Sequence, residues 1–141
     1  MRSKFPVAVH LFFLRQQQVL LLRRFNTGYE DGNYSVVAGH VDAGETVTQA
    51  AVREASEETG VSLAAEALHI VHVMHRKSED ERVDFFVAVQ HWAGEISNRE
   101  PHKCDALAWY PLDALPGNVI PYVRCALEYY QKGIYYSEFG W

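Results

Sequence analysis

The sequence predicts an α/β fold in which a mixed sheet packs between helices, and three observations lead there. Strand-like runs precede and follow one well-delimited helical stretch. A second helical stretch closes the chain. The resulting order of strands, helix, strands, helix lacks the regular alternation of an all-parallel doubly wound sheet. With 141 residues, 48% of them apolar, the chain is long enough to bury a proper core, so a single domain over 1–141 is expected.

The elements follow in order. Val7 to Leu14 and Val19 to Arg24 are apolar runs around the polar Arg15-Gln16-Gln17-Gln18, which reads as an opening hairpin. Asn26 to Asn33 is rich in turn formers and leads into a short strand, Tyr34 to Val37. Thr46 and Gln49 have the spacing of a capping box, and Gly60 stands where a helix C-terminal glycine belongs, so a helix is expected over about Val47 to Thr59. His69 to His75 and Val83 to Gln90 read as strands around the charged Lys77 to Arg82 turn, and Leu107 to Tyr110 as another. One helical turn is expected between Pro111 and Pro116, and a closing helix over Ile120 to Lys132.

Composition excludes several function classes. The net charge of −5 gives no broad basic field, which argues against long duplex nucleic acid as a partner and favours a small anionic ligand bridged by a cation. Cys104 and Cys125 lack any CxxC spacing, so neither a zinc site nor a disulfide framework is expected, only reduced, half-buried thiols. The first residues lead into a short alternating segment rather than a long apolar run, so neither a signal peptide nor a membrane span is expected, and the default location is the cytoplasm.

The informative stretch runs from Gly39 to Val61. On a helix, Glu54, Glu57 and Glu58 stand at i, i+3 and i+4 and share one face. Such like charges repel by roughly several tenths of a kcal/mol per pair even in water. A cation relieves that repulsion, and an all-oxygen ligand set favours magnesium or manganese over zinc. Arg53 adjoins Glu54 and precedes Glu57 by one turn, so its fork can hold a carboxylate in place. Gly39 and Gly44 flank the loop before the helix, where glycine lets the backbone come close to a metal or phosphate. Taken singly, a Glu-Glu pair or an Arg-Glu pair on a helix is a solvated surface feature.

The whole spacing changes that weighing. Gly39, five residues, Glu45, seven residues, Arg53-Glu54, a small apolar residue, any residue, Glu57-Glu58, any residue, Gly60 and an aliphatic residue resembles the Nudix box at every defined position. Ala55 is smaller than the usual aliphatic residue there, and Val37-Ala38-Gly39 lacks the proline that usually precedes the small residue and glycine. The resemblance implies an α/β/α sandwich with a mixed sheet. It further implies that Glu54, Glu57, Glu58 and the Gly39 carbonyl bind metal, that Arg53 orients a glutamate, and that Glu45 has a supporting or water-mediated metal contact. Catalysis would then rest on Glu57, Glu54 and Arg53.

Outside the box the family supplies a further acidic group at a variable position. The candidates here are Glu100, Asp105 and the Glu79 to Glu81 turn, with Glu100 favoured because it precedes a proline-stiffened loop. Arg23, Arg24, Lys103 and His40 are candidates to meet substrate phosphates, and Tyr29, Tyr34 or Trp109 to stack on a base. His69, His72 and His75 match alternate strand positions only in part, so no metal cluster is expected of them. The aromatic tail from Tyr129 to Trp141 is expected to pack on the domain or on a second subunit, which leaves a homodimer open. The expected activity is magnesium-dependent hydrolysis of a nucleoside di- or triphosphate derivative, oxidised nucleoside triphosphates included. The rivals are removal of pyrophosphate from RNA 5′ ends and a non-catalytic nucleotide-binding module.

Overall fold

The computed structural model describes residues 2–141. Strands β1 (Val7–Arg15) and β2 (Gln18–Arg24) form the opening hairpin, turned through Gln16 and Gln17 at φ 52 and 63. Two consecutive left-handed residues give a turn whose twist suits the flanking strands. The single strand expected from Tyr34 to Val37 is two short ones, β3 (Tyr34–Ser35) and β4 (Val37–His40). Different partners divide them: β3 pairs with β2, whereas β4 pairs with β1 from Ala8↔His40 to Leu11↔Val37. Because β2 leaves β1 after Leu14↔Val19, β4 occupies the edge that β2 vacates. The sheet therefore splits, and the split opens a cleft.

Strand β6 (Glu81–Val89) runs parallel to β1 and antiparallel to β5 (Leu68–Lys77). Strand β7 (Cys104–Pro111) pairs antiparallel with β2 and is longer than the sequence suggested. Helices α1 (Val47–Thr59) and α2 (Pro121–Gln131) cover opposite faces. Val9, Leu11 and Phe13 pack with Ala50, Ala51 and Ala55 of α1, while Phe12 and Leu14 pack with Val123, Ala126 and Leu127 of α2. Burial on both faces explains why β1 reads as a continuous apolar run. The layers are those of an α/β/α sandwich with a mixed sheet. Among the described residues no helix is long and apolar enough to cross a membrane.

Two expectations need correction. The Pro111 to Pro116 segment is not a helical turn; Leu112 N–H donates to Gln17 O at 3.0 Å, which ties the segment to the hairpin, and a single turn bond, Ala114 N–H to Pro111 O, follows. Cys104 is buried rather than half-buried, because it sits in the first core; Cys125 is half-buried, and both thiols are free. The tail packs on its own domain through a strand the sequence did not reveal, β8 (Tyr136–Phe139), parallel to β5. Buried His72 pins it, with Nδ1 at 2.8 Å from Ile134 O and Nε2 at 2.7 Å from Ser137 Oγ.

Candidate active site

Local chemistry sets helix α1 in place. Thr46 Oγ1 accepts from Gln49 N–H, the Gln49 side chain accepts from Thr46 N–H, and Gly60 ends the helix at φ 80. Both ends of α1 thus hold the capping roles expected of Thr46, Gln49 and Gly60. The small Ala55 is fully buried against the sheet, where a larger residue would push α1 away. Gly39 is the closest approach: a Cβ there would lie 2.0 Å from Glu54 Oε1, so any side chain would displace that carboxylate. Glycine at 39 is required by the position of Glu54.

Arg53 is the hub. Its Nε and Nη2 donate to the two Glu45 oxygens at 2.7 and 2.9 Å, and Nη2 also donates to His40 O at 3.0 Å. Nη1 donates to Glu54 Oε1 at 2.7 Å and to Glu57 Oε2 at 3.3 Å. The two-pronged bond goes to Glu45 rather than to one of the helix glutamates. Glu45 Oε1 also accepts from Asp42 N–H at 3.0 Å. Hydrogen bonding from Arg53, then from the Asp42 backbone, lowers the Glu45 carboxyl from 4.5 to about 2. Glu45 therefore stays ionised and closes the loop onto the helix.

Glu58 has the opposite electrostatics. Burial pushes its carboxyl well above the ordinary range; a hydrogen bond shared with Glu54 and the charges of Glu54 and Glu100 push the same way, against one backbone bond from Ala38. Its Oε2 is buried without a hydrogen-bond partner among the described residues. Glu57 is the open one of the three, with 53% of its side chain exposed against 11% for Glu54.

A cleft of about 730 Å³ fronts these groups, lined among others by Gly39, Arg53, Glu54, Glu57, Glu58 and Glu100. Arg24, His40 and Lys103 also line it. Arg24 is partly committed: Nε donates to Tyr29 O at 2.6 Å and Nη2 to Thr27 Oγ1 at 3.0 Å, so it also braces the loop before β3. Arg23 and Asp105 pair with each other at 2.7 and 3.0 Å and do not line the cleft. Tyr34 is likewise off the wall, its hydroxyl bonded to that of Tyr110 at 3.2 Å, and Trp109 stacks on Trp92. Glu79 to Glu81 occupies the β5–β6 turn, also away from this cleft. Sequence reasoning missed Asn26, Thr27 and His102, which line the wall. They arrive through the pairing of Arg24 with Cys104 and the bond from Phe25 N–H to Lys103 O, which no local pattern announces.

Among the described residues no three His, Cys, Asp or Glu side chains are already arranged to hold a metal ion. The donor set nonetheless fits a hard divalent cation. Glu54 and Glu57 share one arginine with Glu45, Glu58 keeps a buried oxygen without a partner among the described residues, and the Gly39 backbone lies against Glu54. A divalent cation supplies the missing countercharge.

The profile described as NUDIX domain matches residues 4–130. The chain is 38% identical over 102 residues to the NAD-capped RNA hydrolase NudC of Pseudomonas aeruginosa, covering 72% of this chain and 34% of that protein. It is 32% identical over 108 residues to the NudC of Vibrio vulnificus, covering 73% and 38%. The chain thus spans little more than a third of the length of these curated relatives. Among solved structures, a MutT NUDIX hydrolase from Burkholderia pseudomallei superposes with a TM-score of 0.81 at 28% identity, covering 89% of this chain and 98% of the other. Profile, relatives and fold agree with the box that holds Arg53 and its glutamates, and the chain belongs to the Nudix hydrolase family.

Proposed function

We propose that this chain is a magnesium-dependent pyrophosphohydrolase, built as one domain over 1–141, that cuts the diphosphate linkage of a nucleoside di- or triphosphate derivative by attack of water at phosphorus. The observation that carries the reading is the surplus of carboxylates at Arg53, with Glu58 Oε2 buried and unpartnered beside an open cleft. Glu54, Glu57, Glu58 and the Gly39 carbonyl would hold magnesium or manganese. A bound divalent cation lowers the pKa of water and neutralises phosphate oxygens.

The remaining work falls to the protein. Arg53 holds Glu54 and Glu57 in the cleft and clamps the loop through Glu45 and His40 O. Glu57 Oε1, which Arg53 leaves free, accepts the proton of the attacking water. Glu100 is the distal acidic group on the facing wall, and Lys103, Arg24 and His40 meet the substrate phosphates. Cytoplasmic location fits a nucleotide substrate.

A second reading is removal of an RNA 5′ cap or pyrophosphate, favoured by similarity to proteins named NAD-capped RNA hydrolase. The intact carboxylate set supports catalysis over a silent binding module, which has no use for mutually repelling acids. The test is a panel of nucleoside triphosphates, dinucleotides and triphosphorylated or NAD-capped RNA, with magnesium and with excess chelator. Magnesium-dependent release of products cut at the diphosphate is expected, on small nucleotides first. Turnover undiminished by chelator, or none on any member, would overturn the reading.

A further inference from the structure

A second cavity, of about 540 Å³, adjoins the catalytic cleft, and its walls include Tyr29, His40, Arg76, Arg82, Asp80 and Glu79. His40 lines both spaces. The loop before β3 runs between them, with Asn26 and Thr27 toward the catalytic cleft and Tyr29 toward the second cavity. The two spaces meet at His40, at the end of β4, so a ligand with its diphosphate at the glutamates reaches the second space by passing that residue. The volume is that of a small-molecule site.

Arg76 is the unusual wall residue, since it is only 5% exposed. A guanidinium carries five N–H donors and no acceptor. Among the described residues Arg76 makes one side-chain hydrogen bond, from Nε to Asp84 Oδ2 at 2.6 Å, while its flat face lies 3.7 Å from the centre of the Tyr122 ring. The terminal nitrogens have no acceptor among the described residues, but unlike His10 Nδ1 and Glu58 Oε2 they are not sealed from solvent, so an acceptor placed in the cavity can reach them. The charge itself is already balanced. Asp84 is fully buried, and His10 Nε2 approaches its other oxygen at 3.0 Å. Arg82 is engaged by Asp80 at 3.0 to 3.2 Å, with Glu79 beside them. A free anion would meet the two wall carboxylates, Glu79 and Asp80, here. A neutral planar group with acceptors along its edge suits both the donors of Arg76 and the aromatic wall of Tyr29.

We propose that this cavity receives the heterocyclic base of the substrate and that Arg76 selects bases with a carbonyl oxygen at the edge it meets over bases with an amino group there. The proposal rests on the nucleotide reading of the catalytic cleft. A guanidinium fork matches a carbonyl edge, whereas an amino group would set donor against donor and leave both without partners. A site built to hydrogen-bond one group rejects the analogue that lacks it more strongly than an apolar pocket rejects a change of size.

Two comparisons test it, hypoxanthine against adenine and uracil against cytosine, in each of which an edge carbonyl becomes an amino group and the adjacent ring nitrogen changes from donor to acceptor. The parent protein should hydrolyse ITP over ATP and UTP over CTP with at least about a tenfold advantage in kcat/KM. Arg76→Lys, which keeps the charge beside Asp84 but loses the fork, should reduce both ratios to within about threefold. Tyr29→Ala should lower both members of each pair alike. Arg76→Gln serves as the second variant where Arg76→Lys melts below assay temperature. In parallel, saturation-transfer NMR on the metal-free parent compares inosine with adenosine and should show the stronger transfer to inosine. Equal kcat/KM within both pairs, or ratios unchanged in a folded Arg76 variant, would overturn the proposal while leaving the hydrolase reading intact. Absence of turnover on every nucleotide would instead fault that reading, and the NMR comparison would then decide the cavity, with equal transfer sinking it.

Discussion

Two arginine–carboxylate hubs lie on opposite faces of the same sheet, and their charge balance differs. At Arg53 one guanidinium serves Glu45, Glu54 and Glu57, with Asp42 at 3.6 Å, while buried Glu58 pairs with no cation among the described residues. At Asp84 one carboxylate serves two bases, His10 and Arg76, inside the second core. The first hub has carboxylates to spare and opens on a cleft; the second pairs its buried carboxylate with Arg76 and leaves the Arg76 terminal nitrogens and His10 Nδ1 without partners among the described residues. Surplus charge marks a place for an ion, and balanced charge marks a place where fold and recognition are fixed.

The largest expected effect lies at the balanced hub. Asp84→Asn leaves Arg76 buried without its counter-ion, so stability should fall by about 3–5 kcal/mol in denaturant unfolding. Hydrogen bonds and charges from His10 and Arg76 hold the folded Asp84 carboxyl below its ordinary value of 3.8, against the opposing effect of burial. The stability contributed by Asp84 is therefore complete above about pH 4 and is lost as pH falls below that, through the folded value. Parent and Asp84→Asn should converge in stability in that acid range. A loss below about 1 kcal/mol at neutral pH would mean that the pair is not a structural unit.

Next comes the Arg53 hub, where on the proposed reading rate should respond and fold should not. Glu54→Gln should lower kcat by about a hundredfold or more, roughly 2.7 kcal/mol in barrier, with denaturant midpoints changed little. A rate within about threefold of the parent would remove Glu54 from the cation site. A smaller effect, about tenfold in kcat, is expected for Glu100→Gln, against less than twofold for Asp105→Asn. The difference follows from placement: Glu100 is on the cleft wall, and Asp105 is tied to Arg23 outside it. The reverse ranking would move the distal acid to Asp105.

What the sequence disclosed of these hubs follows from the distance over which each is built. The Arg53 hub is assembled from a loop and the helix that follows it, so spacing, capping residues and the fixed glycine reveal it. The facing wall is legible only as a set of alternatives, because the β2–β7 register decides whether Glu100 or Asp105 faces inward. The Asp84 hub joins three strands, and its trace was a polar residue inside an apolar run, His10 between Val9 and Leu11 and Asp84 beside Phe85. That signal has no periodicity and went unread. Strand β8 escaped for a related reason: it is only four residues long, and its place depends on His72, far along the chain.

The central claim is that the carboxylates of α1 are in excess because they serve a cation, and Glu57 tests it most directly. Glu57 is half exposed, and its one side-chain hydrogen bond is the long one from Arg53 at 3.3 Å, so removing its charge relieves repulsion at little structural cost. The measurement is a pair of melting curves for parent and Glu57→Gln, with excess chelator and with magnesium. Without metal, the variant should melt at or slightly above the parent. With magnesium, the parent should gain more than the variant, so the order narrows or reverses, because binding to the folded state stabilises it by mass action. A variant that melts far earlier in chelator, or one that gains as much from magnesium as the parent does, would contradict the account.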